Sequence, residues 1–282
     1  MSKIPGLLKQ REQEQRSLPL IMGILNVTPD SFSDGGQFVE HQALYNQIHS
    51  MLEAGVDIID VGGESTRPGS KAVSLEEELA RVLPAIDLIK SISDVAISID
   101  TYKPQVMQAA IERGVDLIND VNALQAPGAI ELVAKANIPV CLMHKRGEPL
   151  TMQQAPTYKD VIAEVKAFLL ERAHLCEQAG VSSAHIYLDP GFGFGKTLEH
   201  NVNLFQHLSE FSALPYPLLV GVSRKKMIGS LISTRGEALS AAERVHGSVA
   251  AAIVAASKGA KIVRVHDVSQ TVQALSVATA LW

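Results

Sequence analysis

"VDIIDVG", residues 56–62, is a short apolar run that begins just after Gly55 and stops abruptly at Gly63 and Glu64. The same unit recurs along the chain as "LIMGILN" (20–26), "VAISID" (95–100), "VDLIND" (115–120), "PVCLMH" (139–144), "HIYLDP" (185–190), "PLLVGVS" (217–223) and "KIVRVH" (261–266). Each run follows a helix-like stretch and ends in a polar or turn residue. Continuous apolar strands that alternate with helices belong to a parallel sheet covered on both faces. Eight such units within 282 residues match the count and size of a closed α/β barrel, the (β/α)8 or TIM fold. An open doubly wound sheet would give the same alternation and is the alternative.

Composition agrees with one globular domain. Hydrophobic residues make up 46% and the formal charge is -5, with no strongly basic stretch, which argues against nucleic acid as a partner. The two cysteines, Cys141 and Cys176, form no C-x-x-C pair, and the first residues lack an apolar signal core. No run is long and apolar enough for a membrane span, so the expected compartment is the cytoplasm. Residues 1–19 read as a charged N-terminal extension without a functional motif, and 20–282 as the barrel domain. Among the helices, "SLEEELARVLPAIDLIK" starts with a capping-box pair, Ser74 and Glu77, and carries Pro84 inside, which predicts a kink or two pieces. The stretch 158–180 reads as the longest helix, ending at Gly180. The small-residue stretch 239–259 reads as deeply packed or as part of a subunit contact.

In a TIM barrel the active site forms at the C-terminal strand ends. Those ends carry Asn26, Gly62 to Arg67, Asp100, Asn119 with Asp120, Met143 with His144, Asp189, Ser223 to Lys225, and Arg264 with His266. Asp100, Asp120 and Asp189 are acceptors and Asn119 is both donor and acceptor, a set suited to the edge of a flat, nitrogen-rich heterocycle. Asp120 leans towards a capping role, because Asn119 competes for the inward direction. Arg264 and His266 stand two apart on one strand and so share a face. With Arg67 and Lys225 they could bind an anion, or they are rim residues tied to neighbouring carboxylates.

Other patterns are excluded. "DPGFGFGKT" (189–197) resembles a phosphate loop, but Pro190 stands where the Walker pattern needs its first glycine, so Lys196 is not expected to touch phosphate. "GVSRKK" (221–226) fails as a nucleophile elbow at Lys225. Ser223 is then a hydrogen-bonding wall, Lys226 is solvated, and Lys225 or Arg224 faces in. The histidines lack zinc-ligand spacing, and His144 reads as a rim residue. A Mg²⁺ ion carried by substrate phosphates would leave a trace as faint as Asn26. The loops at 28–36 and 62–70, rich in Gly, Pro and Ser, read as mobile lids, with Phe32 at a tip.

Seven motifs now carry a family resemblance. "GILNVTPDSFSDGG", "VDIIDVGGESTRPGS", "SIDTYKP", "LINDVNAL", "LDPGFGFGKT", "VGVSRKKMIG" and "VRVHDV" resemble, in order, those of dihydropteroate synthases. The resemblance implies a (β/α)8 barrel transferase of folate biosynthesis that condenses 6-hydroxymethyl-7,8-dihydropterin pyrophosphate with 4-aminobenzoate. It also implies Mg²⁺ as cofactor, a homodimer, and sulfonamides as competitors. It assigns the pterin to Asp100, Asn119, Met143, Asp189, Lys225 and Arg264. The pyrophosphate falls to Asn26, Arg67, Arg264 and His266, with Asn26 also touching Mg²⁺. The aminobenzoate falls to Phe32, Thr66, Arg67, Pro68, Phe194, Ser223 and Lys225. One departure is "MHKRGEP", where Lys145 and Arg146 add two charges that read as solvated. A pterin-binding methyltransferase domain, which shares the barrel, and a non-catalytic pterin-binding protein are the other readings.

Overall fold

The computed structural model describes residues 2–13, 18–28, 36–65, 70, 72–147, 151–233 and 236–282. Each apolar run contains a strand: β1 (Leu20–Asn26), β2 (Ile58–Gly62), β3 (Ala96–Asp100), β4 (Leu117–Asp120), β5 (Val140–Met143), β6 (Ile186–Asp189), β7 (Leu219–Val220) and β8 (Ile262–Val265). Neighbouring strands pair in parallel in the order β6-β5-β4-β3-β2-β1-β8-β7. A bridge from Leu188 to Leu218 joins the two ends of that order and closes the barrel. The sequential order and the closure exclude the open doubly wound sheet.

Helices cover the barrel: α1 (Ile4–Gln13), α2 (Gly36–Glu53), α3 (Leu75–Ile92), α4 (Pro104–Glu112), α5 (Ala129–Ala136), α6 (Val161–Gln178), α7 (Leu198–Gln206), α8 (Leu208–Ser212), α9 (Lys226–Ile232), α10 (Val245–Ser257) and α11 (Val268–Leu281). Among the described residues, no helix is long and apolar enough to cross a membrane. Ser74 caps α3 by accepting from the Glu77 N–H. Pro84 does not divide that helix, which runs unbroken through it. The buried stripe Val82, Ala85, Ile86 and Ile89 holds it to the barrel, and Ala80, whose carbonyl loses the proline's N–H, is exposed to water. The α6 helix is not the longest, since α2 and α3 have the same 18 residues.

The two-residue period of a strand sorts the barrel into an inside and an outside. Outward residues such as Ile59, Val61, Ile97, Ile99, Val140 and Leu142 form the large core under the helices. Inward residues near the strand starts form a second core of Leu20, Met22, Ile58, Ala96, Leu117, Cys141, Tyr187, Leu219 and Ile262. Ile4 of α1, fully buried, completes this inner core, so the N-terminal segment plugs the floor of the barrel. Polar contacts fasten the plug. Arg11 pairs with Asp57 at 2.8 Å, and Asp116 accepts from the Lys3 N–H at 3.0 Å. Those two aspartates also accept strand N–H groups, Asp57 from Ile21 at 2.8 Å and Asp116 from Ile97 at 3.0 Å. Removing the Ile4 side chain leaves a cavity in a closed core, so Ile4→Ala is expected to cost about 2–4 kcal/mol in urea unfolding. Activity should be retained, because the plug lies at the mouth opposite the strand exits.

Candidate active site

The same period that fills the floor with apolar side chains brings polar ones inward near the strand exits. Going up each strand by two residues passes from Ile58 to Asp60 and Gly62, from Ala96 to Ser98 and Asp100, from Leu117 to Asn119, from Tyr187 to Asp189 and from Ile262 to Arg264. Register then sets neighbours: Asn26 lies beside Gly62, Gly62 beside Asp100, and Asp100 beside Asn119. On the other side Met143 lies beside Asp189.

Arg264 organises one half of the mouth. Its Nε donates to Asp60 Oδ2 at 2.6 Å and its Nη2 to Asp100 Oδ2 at 2.7 Å. Asn119 Nδ2 donates to the same Asp60 oxygen at 3.1 Å. One guanidinium therefore serves two carboxylates, which holds it firmly in its charged form. Burial pushes the Asp100 carboxyl up to about 7, with Arg264 opposing and Asp60 reinforcing the rise. Asp100 Oδ1 and Asp60 Oδ1 are buried without a protein partner. Arg264 thus takes the carboxylate-paired alternative in this arrangement. Asp60 was missed from the sequence, where it stands inside an apolar run. A charged residue at an inward position of a buried strand is the signal that could have found it.

The other half centres on Asp189 and Lys225. Asp189 Oδ1 accepts the Gly191 N–H at 2.7 Å, and burial raises its carboxyl while Lys225 opposes the rise. Burial lowers the Lys225 ammonium to about 8, with Asp189 opposing. Its Nζ donates to the Phe192 carbonyl and lies 4.4 Å from the centre of the Phe194 ring, a cation–π contact. Of the two candidates to face in, Arg224 turns away to pair with Asp267, which leaves Lys225 in the mouth. Lys226 is exposed, as expected. Lys196 was also missed. It is 2% exposed, with its Nζ 2.9 Å from His144 Nδ1.

Ser223 and His266 meet. The Ser223 Oγ accepts the His266 N–H at 3.1 Å and lies 3.0 Å from His266 Nδ1. These two contacts tie both the backbone and the ring of His266 to the Ser223 wall. Asp120 is structural but caps no helix: its carboxylate holds the turn after β4, accepting the N–H groups of Asn122 at 2.7 Å and Leu124 at 2.8 Å, whereas α5 begins later with Gly128 before it, and burial raises Asp120 to about 6.

Two other expectations are corrected. His144 is not at the rim but buried, its ring edge-on to Phe168 at 5.1 Å, and burial together with Lys196 lowers it to about 2. Arg146 is not simply solvated: it pairs with Glu164 at 2.6 Å and lies 3.9 Å from the centre of the half-buried Tyr158 ring, because an aromatic face and a carboxylate flank it. Lys145 is half-buried, and its charge opposes the rise in Asp120. Phe32, Thr66, Arg67 and Pro68 lie outside the described residues, as do residues 29–35 of the first expected lid and 66–69 of the second.

With this geometry in hand, known proteins are informative. The family described as "Pterin binding enzyme" matches residues 22–266. A dihydropteroate synthase of Escherichia coli strain K12 is 51% identical over 267 residues, 94% of this chain and 92% of that protein. The Xanthomonas albilineans dihydropteroate synthase, solved with 4-aminobenzoic acid, superposes with a TM-score of 0.87 at 48% identity and 93% coverage of both chains. The Yersinia pestis dihydropteroate synthase, solved with a sulfonamide drug complex, gives a TM-score of 0.86 at 48% identity and 94% coverage of both. The chain belongs to the pterin-binding enzymes, within the dihydropteroate synthase family.

Proposed function

We propose that this chain joins 6-hydroxymethyl-7,8-dihydropterin pyrophosphate to 4-aminobenzoate, forming 7,8-dihydropteroate and pyrophosphate, and that sulfonamides compete for the aminobenzoate position. The observation that carries this reading is the pairing of Asp100 and Asn119 across the barrel mouth from Asp189 and Lys225. Together they offer carboxylate acceptors, an amide and one ammonium to the donor- and acceptor-rich edge of a pterin. Met143, beside Asp189, supplies an apolar wall. Arg264 lies against the ring while it orients Asp100.

The carboxylates of Asp100 and Asp189 face the methylene that becomes electron-poor as its C–O bond to pyrophosphate breaks. That charge placement favours departure of the leaving group. The aromatic amine then attacks the methylene, and its proton passes to solvent or to the pyrophosphate released. Aminobenzoate lies between Phe194, Ser223 and Lys225, and the family motifs assign Phe32, Thr66, Arg67 and Pro68 to it as well. His266, held by Ser223, meets the departing pyrophosphate together with Asn26, and the family motifs assign Arg67 to the same group.

The residues present also fit Mg²⁺. A Cβ on Gly62 would stand 3.6 Å from Asn26 Oδ1 and 3.9 Å from Asp100 Oδ2, so the glycine leaves room beside an amide oxygen. Among the described residues no three His, Cys, Asp or Glu side chains cluster to hold a metal alone. One amide oxygen plus substrate phosphates and water is the kind of set Mg²⁺ accepts. When bound, Mg²⁺ neutralises charge on the leaving pyrophosphate. Asn26 would hold it.

The test is pyrophosphate release with the dihydropterin pyrophosphate, Mg²⁺ and 4-aminobenzoate. Release that does not depend on aminobenzoate would refute the synthase reading. We also propose residues 20–282 as the catalytic domain preceded by the 1–19 extension, and the cytoplasm as its compartment. The dimer surface is proposed on α10 and α11, where Val254, Val277, Leu281 and Trp282 are exposed. Val277→Asp is expected to shift the particle from dimer to monomer in light scattering, and an unshifted mass would rule that surface out.

A further inference from the structure

The turn after β6 is held carbonyl by carbonyl. Gly191 O accepts from Lys196 Nζ at 2.8 Å, Phe192 O from Lys225, Gly193 O from Gln153, Phe194 O from Lys196 at 3.2 Å and Gly195 O from Tyr158 at 2.9 Å. Lys196 is the donor that appears twice, and it also reaches the neighbouring strand exit. The same Nζ lies 2.9 Å from His144 Nδ1 and 3.3 Å from the His144 carbonyl. Three of the four partners are carbonyl oxygens, which can only accept, so they take up hydrogens of the Lys196 nitrogen, whose ammonium form burial draws well below its usual range.

Burying an ammonium is costly even when it is fully hydrogen-bonded, and an apolar side chain of similar length would fill the same space more cheaply. The gain therefore lies in where the ammonium holds the backbone. Two short links lead from it to the reacting groups. The Gly191 residue held by Lys196 through its carbonyl donates its N–H to Asp189 Oδ1. The carbonyl of Phe194, whose ring borders Lys225, is held directly.

We propose that Lys196 is a positioning residue that keeps the two substrate half-sites in register, aiming Asp189 at the pterin and Phe194 at the aminobenzoate from one buried point. This rests on the roles given above to Asp189 and Phe194. It differs from a Walker lysine in kind, because its nitrogen is spent on backbone carbonyls beneath the turn and never meets phosphate.

The test compares full-length wild type, Lys196→Met and Asp189→Asn. Calorimetry with 6-hydroxymethylpterin reads the pterin half-site, and the KM for 4-aminobenzoate reads the other. A side chain that aims a turn carrying two half-sites should, when removed, weaken pterin binding and raise the aminobenzoate KM, each by about tenfold. A Lys196→Met protein that only melts at a lower temperature, with both values within about twofold of wild type, overturns the proposal, as does a loss confined to one substrate. If Asp189→Asn binds pterin normally, the reading of Asp189 is what fails. If Asp189→Asn loses binding and Lys196→Met does not, the inference about Lys196 fails alone. Should Lys196→Met not fold, Lys196→Gln, which keeps two N–H donors without the charge, carries the test: losses above about threefold for both substrates support it and wild-type values overturn it.

Discussion

Asp100→Asn is expected to weaken pterin binding by about a hundredfold while leaving the barrel folded, because a charge-assisted pair is lost and one N–H donor is turned towards others. The fold should tolerate the change. Asp100 is buried, Arg264 keeps its 2.6 Å contact to Asp60, and a buried charge is removed. Calorimetry with a pterin reads the loss, and an affinity within about threefold of wild type would remove Asp100 from the site. A pH dependence goes with it. Burial raises the carboxyl from 3.8 to about 7, so the free protein holds a proton there below neutrality. If the pterin binds the ionised form, wild-type affinity falls as pH drops below about 7, and the Asp100→Asn protein lacks that limb. Stability has the opposite sign. A group raised on folding contributes stability that is full below 3.8 and is lost as pH rises through about 7. Wild type should gain melting temperature between pH 7.5 and 5.5 relative to Asp100→Asn, and the reverse ordering would contradict the raised carboxyl.

Gly191→Ala is expected to lower kcat/KM by about a hundredfold or more, since small displacements of reacting groups carry costs of that order. Gly191 has φ +70, and a Cβ there would fall on the His144 carbonyl oxygen. An L-residue is strained in that backbone region, at about 1 kcal/mol or more, and backbone cannot swing aside as a side chain can. The turn must therefore lift away from the β5 exit. That breaks the Gly191 N–H bond to Asp189 and the Lys196 contacts at once. Gly128 is the control. It too has positive φ, at +80, but nothing lies near its missing Cβ, so Gly128→Ala should change stability only modestly and leave kcat/KM intact. Equal kinetic effects at both glycines would show that the close approach at Gly191 carries no function.

These expectations depend on features that differ in how far the sequence reveals them. Strand positions, the parallel barrel and the ring of polar strand exits follow from local patterns. A run such as "VDIIDVG" is apolar on both faces, and a two-residue period assigns Asp100, Asn119 and Asp189 inward without further information. The motifs then suffice to place the chain in its family. Partner choice was not legible in the same way. Asp60 reads as an interruption of β2 and Lys196 as a lysine of a glycine turn that is not expected to touch phosphate, yet one shares Arg264 with Asp100 and the other holds the Gly191 carbonyl next to Asp189. Arg224 and Lys225 are adjacent, and only the position of Asp267 decides which of them enters the mouth. Their pairings join residues separated by up to 204 positions. The strand pattern is a property of each segment and survives in one dimension. Which charge meets which depends on the stagger of eight strands around a closed barrel, and on how much water that closure removes, so only the tertiary structure decided it.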